Sequence, residues 1–197
     1  MKTFIIIHGW DGDSRIGWFK WLKIELEKRG YKVLTPQLPN HGEPQIKPWV
    51  DKIFEISKNT DENTYFLGHS IGCQAILRYL EKYNVKIGGA IFVAGWFDLK
   101  EETFMEDPKT EKEARRIAKP WITNKINTAK IRLPKGKSFA IFSDNDKFVD
   151  EKPNSKIFKD KLGCQIIIEH DKKHYEESKT REIPVILDIL DRLEEIK

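Results

Sequence analysis

Gly68-His69-Ser70-Ile71-Gly72 sets a serine between glycines placed two residues to either side. It follows the β-prone run Thr64-Tyr65-Phe66-Leu67 and precedes the helical pattern of Ile76, Leu77 and Leu80. A G-x-S-x-G turn between a strand and a helix is tight enough to force the serine into a strained backbone conformation. The glycines keep neighbouring side chains from colliding there. The hydroxyl is lifted above the sheet, with a helix N-terminus behind it. A glycine-rich turn whose serine only caps the helix would use the same residues. The flanking strand and helix patterns favour Ser70 as a nucleophile.

A serine hydroxyl alone is a weak nucleophile. It needs a base within hydrogen-bond reach and an acid to orient that base. In the α/β-hydrolase arrangement, which this serine turn resembles, the chain order is Ser, then Asp or Glu after one late strand, then His after the next. The run Ser138–Ser143 leads into Asp144-Asn145-Asp146-Lys147-Phe148-Val149, and the run Cys164–Glu169 into His170-Asp171-Lys172-Lys173-His174-Tyr175. Asp146 is the expected acid, because Val149 supplies an apolar anchor that turns its loop back into the fold. Asp144 on the same loop and Asp98 after the fourth strand are the alternatives. His174 is the expected base, while His170 lies one residue past the strand and is placed to cap it.

Attack on a carbonyl creates an oxyanion that needs two N–H donors, each worth about 10²–10³-fold in rate. The expected donors are the backbones of Ile71, which opens the helix, and Trp10, which follows His8-Gly9. Gly9 would let the backbone approach a substrate closely. The Trp10 and Trp96 side chains are candidate walls of an acyl pocket, whereas Trp18, Trp21, Trp49 and Trp121 read as core or cap packing. His8 and His69 read as histidines that satisfy backbone groups, and His41 as a loop residue near the mouth. No Cys/His cluster has metal-ligand spacing, so neither a metal nor another cofactor is expected.

The elements that must position these residues are legible as six short apolar runs. They are Phe4–Ile7, Lys32–Thr35, Tyr65–Leu67, Ala90–Val93, Phe139–Phe142 and Gln165–Ile168. They are apolar almost throughout, as expected of parallel strands buried on both faces. Helical stripes lie between them: Ile16, Phe19, Leu22 and Leu26 ending at Gly30; Trp49, Ile53 and Ile56; Ile76, Leu77 and Leu80; and Ile183, Ile186, Leu187 and Leu190. This alternation predicts an α/β fold, with about six mostly parallel strands flanked by helices in a single domain over 1–197. Residues 97–137 carry no strand signal and many charges, with a helical segment near Glu111–Lys119. They are expected to form a small cap-like insertion.

The composition narrows the class of function. Of 197 residues, 39% are hydrophobic and 34% charged, which suits one well-solvated domain. The net charge of +4 comes from 35 basic and 31 acidic residues that are interleaved, so no phosphate-binding stripe and no nucleic-acid partner are expected. No run of apolar residues is long enough to span a membrane. The chain enters its first strand directly after Met1-Lys2-Thr3, so no signal peptide is expected. Cys73 and Cys164 read as buried thiols in a reducing, cytoplasmic setting. The absence of a long apolar lid argues against a lipase. The expected substrate is a small acyl compound, with a short-chain or aromatic acyl group. A binding protein on the same fold, or an acyltransferase or lyase variant, is the rival reading.

The chain resembles a small, lid-poor α/β hydrolase, and more narrowly the retinoblastoma-binding protein 9/YdeN family of serine hydrolases. Besides the serine turn, the matching residues are His8-Gly9-Trp10, Trp18-Phe19-Lys20-Trp21-Leu22, Pro36-Gln37-Leu38-Pro39 with Pro44 and Trp49, and Ser143 to Val149. The resemblance spans nearly the whole chain. It implies a cofactor-free Ser-Asp-His hydrolase. Asp150-Glu151 before Pro153, and Lys172-Lys173 where glycines are usual before the histidine, depart from the family pattern.

Overall fold

Isoleucine, valine and phenylalanine stiffen six strands: β1 (Thr3–Ile7), β2 (Lys32–Leu34), β3 (Thr64–His69), β4 (Gly89–Val93), β5 (Ser138–Ser143) and β6 (Gln165–Glu169). In the structure, a computed structural model that describes residues 1–104 and 108–195, they form one sheet in the order β2-β1-β3-β4-β5-β6. Every pairing is parallel, with Ile5 beside Phe66, Leu67 beside Ile91, and Ile141 beside Ile167. The helices are α1 (Gly17–Lys28), α2 (Ile46–Ile56), α3 (Ile71–Tyr83), α4 (Pro108–Thr123), α5 (Glu151–Leu162) and α6 (Val185–Glu195).

Successive strand residues point to opposite faces of a sheet, and the core divides accordingly. Ile5, Ile7, Phe66, Phe92 and Phe142 pack with Trp49 and Ile53 of α2, Ile76 and Leu80 of α3, and Phe158 of α5. Phe4, Ile6, Leu67, Ile91 and Ile141 pack with Phe19 and Leu22 of α1 and Ile186 and Ile189 of α6. Each such side chain withdrawn from water stabilises the fold by about 1.5–3 kcal/mol. The switch in strand order falls between β1 and β3. A crevice opens at such a point beyond the carboxyl ends of the strands, and both His8-Gly9-Trp10 and Ser70 emerge there.

Some details depart from the expected pattern. The edge strands are not buried on both faces, and Ile168 is 43% exposed, because β6 has a strand neighbour on one side only. Ile16 does not join the core stripe of α1. It precedes the helix in extended backbone, while Trp18, Phe19, Leu22 and Leu26 are buried. Gly17, at φ +53, opens α1 so close to the Glu177 carbonyl that a Cβ would stand 2.0 Å from that oxygen. Ile183 lies before α6, whose buried stripe is Ile186, Ile189, Leu190 and Leu193.

The insertion after β4 contains a 3-10 turn at Glu101–Phe104, helix α4, and a second 3-10 turn at Thr128–Lys130. Residues 105–107 of the expected cap lie outside the described residues. Helix α4 buries Ile117, Ala118 and Trp121. Buried Arg78 of α3 donates to the carbonyls of Trp121 and Asn124 at 2.9 and 2.7 Å, which fastens the C-terminal end of α4.

Three indole N–H groups pin the loop between β2 and α2. Trp49 donates to the Pro39 carbonyl, Trp10 to Gly42 and Trp121 to Pro44, at 2.9–3.0 Å. A loop rich in proline has few N–H groups of its own, and tryptophan combines an apolar body with the one donor these carbonyls need.

Candidate active site

Ser70 follows β3 directly, at φ 52 and ψ −123. Its N–H donates to the Val93 carbonyl at the end of β4, 2.9 Å away. The flanking glycines are sterically required. A Cβ on Gly68 would approach the Cys73 backbone nitrogen to 2.9 Å, and one on Gly72 would stand 2.5 Å from the His8 carbonyl oxygen. The turn is therefore pressed between α3 and the end of β1, and this compression presents the hydroxyl.

The loops after β5 and β6 bring the acid and base to that hydroxyl. His174 Nε2 accepts from Ser70 Oγ at 3.0 Å, and His174 Nδ1–H donates to Asp146 Oδ2 at 2.7 Å. The three residues are 9%, 7% and 2% exposed in the order Ser70, His174, Asp146. The other Asp146 oxygen accepts the N–H groups of Phe148 and Val149 at 2.8 and 3.1 Å, so the carboxylate both shapes its loop and faces the imidazole. Val149 is buried, as its anchoring role requires. The Phe148 ring stands edge-on to His174 at 4.9 Å.

The alternative residues are engaged elsewhere. His170 faces solvent and donates to Asp144 Oδ2 at 2.7 Å, so it does not cap the strand. That bond holds the Asp144 carboxyl below its ordinary range. Asp98 accepts the N–H of Leu99, and Asn154 ties down its backbone.

His8 and His69 satisfy backbone groups. His8 Nδ1–H donates to the Gly9 carbonyl at 2.7 Å, and its Nε2 accepts from Leu38 N–H at 2.9 Å. Burial lowers its pKa and keeps it neutral, which this pair of bonds requires. Because the peptide is trans, drawing the Gly9 carbonyl toward His8 turns the Trp10 N–H the opposite way. His69 Nε2–H donates to the His174 carbonyl at 2.8 Å, and complete burial depresses its pKa to about 3. His41 lies 3.4 Å from the Asp11 carboxylate.

Ser70, His174, Ile71, Trp10 and Trp96 all line a cleft of about 500 Å³. Ile71 opens α3, so its N–H has no acceptor within the helix. The close approach at Gly9 is to a protein group, since a Cβ there would meet His69 Nδ1 at 2.9 Å. Sequence reasoning did not single out Phe104 and Ala114, which bring the cap to the cleft, or Leu99 and Thr103 at its root. The root is tied to the acid loop: Lys100 Nζ donates to the Asp146 carbonyl at 2.6 Å and Thr103 Oγ1 to that of Phe148 at 3.0 Å. Among the described residues no group of three His, Cys, Asp or Glu could hold a metal ion. No described helix is long and apolar enough to cross a membrane.

A six-stranded parallel sheet with a serine turn at its crevice, and an imidazole bridging that serine to a carboxylate, defines an α/β hydrolase. The likeness to solved structures agrees. The crystal structure of the ydeN gene product of Bacillus subtilis superposes with a TM-score of 0.84 at 26% identity, covering 99% of this chain and 100% of that one. The α/β hydrolase MGS-MChE2, from a sediment metagenome of the Mar Chica lagoon in Morocco, shares the fold at a TM-score of 0.72 and 19% identity, over 99% of this chain and 92% of that one. The chain belongs to the Serine hydrolase family, whose pattern matches residues 4–192. In sequence it is 38% identical to YdeN of Bacillus subtilis (strain 168) over 97 residues, 48% of this chain and 51% of YdeN. It is 26% identical to the serine hydrolase RBBP9 of Rattus norvegicus over 185 residues, 92% of this chain and 91% of that one.

Proposed function

We propose that the protein hydrolyses a small ester or related acyl compound through an acyl-enzyme on Ser70. The observation that carries this reading is the Asp146–His174–Ser70 chain of hydrogen bonds at 2.7 and 3.0 Å, opening on a cleft. Ser70 Oγ attacks the acyl carbonyl carbon while His174 Nε2 takes its proton. Asp146 holds the imidazole in the Nδ1–H tautomer and stabilises the imidazolium that forms. The backbone N–H groups of Ile71 and Trp10 receive the oxyanion, and the N-terminal end of α3 adds its dipole. His174 then protonates the leaving oxygen, the C–O bond breaks, and the alcohol departs. Water, deprotonated by His174, releases the acid and restores Ser70. The Trp10 and Trp96 side chains, with Phe104 and Phe148, favour a short or aromatic acyl group. The catalyst in this reading is cofactor-free and cytoplasmic, and takes its substrate from solution rather than from a membrane or nucleic acid.

The test is covalent. A fluorophosphonate should label the wild type at Ser70, and Ser70→Ala should lose both the label and hydrolysis of a simple aryl ester while keeping its fold. Labelling at another residue, or turnover above a few per cent of wild type in Ser70→Ala, would sink the nucleophile assignment. Label without ester turnover would favour acyl transfer to another acceptor.

A further inference from the structure

The loop that carries His174 follows a path its own residues resist. Asp171, Lys173 and Tyr175 all lie at φ +55, the left-handed region unfavourable for residues with a Cβ. Tyr175 is held there by burial and by Trp18, whose indole donates to its carbonyl at 2.8 Å. Residues 171–173 have no such support, because all three are exposed and bury little apolar surface.

What restrains them is the acid loop, whose four consecutive side chains meet the histidine loop one by one. Asp171 N–H donates to Asp144 Oδ1 at 3.0 Å, Lys172 N–H to Ser143 Oγ at 2.9 Å, and Lys173 N–H to Asn145 Oδ1 at 2.8 Å. The fourth bond of the series is His174 to Asp146 itself. Ser143 Oγ–H donates to Asn145 Oδ1 at 2.9 Å, and Asn145 Nδ2–H donates to the Asp171 carboxylate. Ser143 is 1% exposed, so its hydroxyl has little access to water as an alternative partner.

We propose that Ser143 and Asn145 are positioning residues for His174. They hold Lys172 and Lys173 in the path that sets the imidazole between Ser70 and Asp146. They touch neither substrate nor reacting atoms. The inference rests on the triad reading above. Its energetic logic is that strained backbone persists only where surrounding bonds over-determine it. Misplacing a reacting group by about 1 Å can cost about 10²-fold in rate.

The experiment measures kcat and KM for an aryl ester in Asn145→Ala and Ser143→Ala, each with and without Lys173→Gly. Glycine adopts positive φ freely, so it removes the strain that the lost bonds had opposed. Asn145 is exposed, so Asn145→Ala should fold, and thermal unfolding checks this. The expected result is a kcat about tenfold or more below wild type, with KM within about twofold. The downfield proton resonance of His174 Nδ1–H should weaken with it. Lys173→Gly should restore much of kcat and of that resonance in the Asn145→Ala background, and its gain there should exceed its effect in the wild type. A kcat within twofold of wild type in Asn145→Ala overturns the proposal, and so does a loss that Lys173→Gly fails to relieve. His174→Ala is measured alongside. If it retains turnover the triad reading itself fails, and if it does not, the Asn145 result judges the positioning role alone.

Discussion

His170 and His174 stand four residues apart on one loop, and burial separates their roles. The His170 side chain is 88% exposed and pairs with Asp144, while that of His174 is 9% exposed and reaches both Ser70 and Asp146. His174→Ala should therefore lower aryl-ester turnover by at least about 10³-fold, by analogy with loss of a triad histidine, whereas His170→Ala should change it little. Asp146→Asn keeps an oxygen for the Phe148 and Val149 N–H groups but removes the charge that stabilises imidazolium, so a loss of about 10⁴-fold is expected. Asp98→Asn should cost less than about tenfold, since its carboxylate serves only its own turn. A large loss in Asp98→Asn with a small one in Asp146→Asn would reverse the assignment. Burial depresses the His69 pKa from 6.5 to about 3 and lowers that of His8 as well. The unfolded chain then binds more protons than the native one below pH 6.5, so their contribution is complete above 6.5 and lost as pH falls toward the folded values. Carboxylates held low by cations, such as Asp13 and Glu113, give up theirs only below their ordinary 3.8 and 4.5. Denaturant titrations should thus show stability falling between pH 6.5 and 4.5. A flat profile over that interval would contradict buried neutral imidazoles.

The serine turn makes its demands on whole elements. Helix α3 can start immediately after β3 only because Gly72 lets it press against the end of β1, where a Cβ would stand 2.5 Å from the His8 carbonyl oxygen and 2.7 Å from that of Ile7. Both atoms are backbone and cannot swing aside. Gly72→Ala should accordingly cost about 1–3 kcal/mol, the usual range for overpacking, read as a lowered denaturation midpoint. It should also depress kcat, because relief requires α3 and Ser70 to move away from His174. Unchanged stability and turnover would mean that the turn is less compressed than these distances imply. Glycines leave a mark in the sequence, and for that reason the serine turn was legible from it. So were the central strands, whose burial on both faces requires continuous apolar runs such as Phe139–Phe142. The start of α1 was not, because Ile16 fits the stripe, and the carbonyl that requires glycine at position 17 belongs to Glu177, far along the chain. The histidine loop was legible only in part. His174 could be chosen by its distance past β6, but Asp171 and Lys173 adopt positive φ without glycine's signature, through bonds made by another loop, and Tyr175 does so against Trp18 of α1. Ser143 and Asn145 read as ordinary loop polar residues until those bonds are seen.

At the scale of the molecule, the insertion after β4 ties α3 and the loop before α2 to the mouth of the cleft. Its C-terminal end is fixed where Arg78 fills the carbonyls of Trp121 and Asn124, and where the Trp121 indole donates to Pro44. Its other end reaches the cleft through Phe104 and Ala114. The charged pattern of residues 97–137 carries no sign of which of them face the serine, since that depends on how α4 is rotated by the buried contacts of Ile117, Ala118 and Trp121. If α4 forms one wall of the acyl site, its position limits acyl length. Ala114→Trp adds bulk on that wall without touching Ser70, His174 or Asp146. It should lower kcat/KM for longer-chain aryl esters about tenfold or more relative to the acetate ester, a discrimination within reach of one apolar wall, where a methylene is worth roughly 10–200-fold. Arg78→Met should act in the opposite sense. It strips the donor from two carbonyls at the end of α4, and leaving such groups unsatisfied costs about 1–3 kcal/mol each where they stay dry. The midpoint of unfolding should fall, and the preference between short and long acyl chains should narrow as the wall loosens. Both variants are read with one panel of esters graded in acyl length. A preference that neither substitution moves would place the acyl group on the other side of the cleft, against Trp10 and Trp96, and leave the cap with a purely structural role.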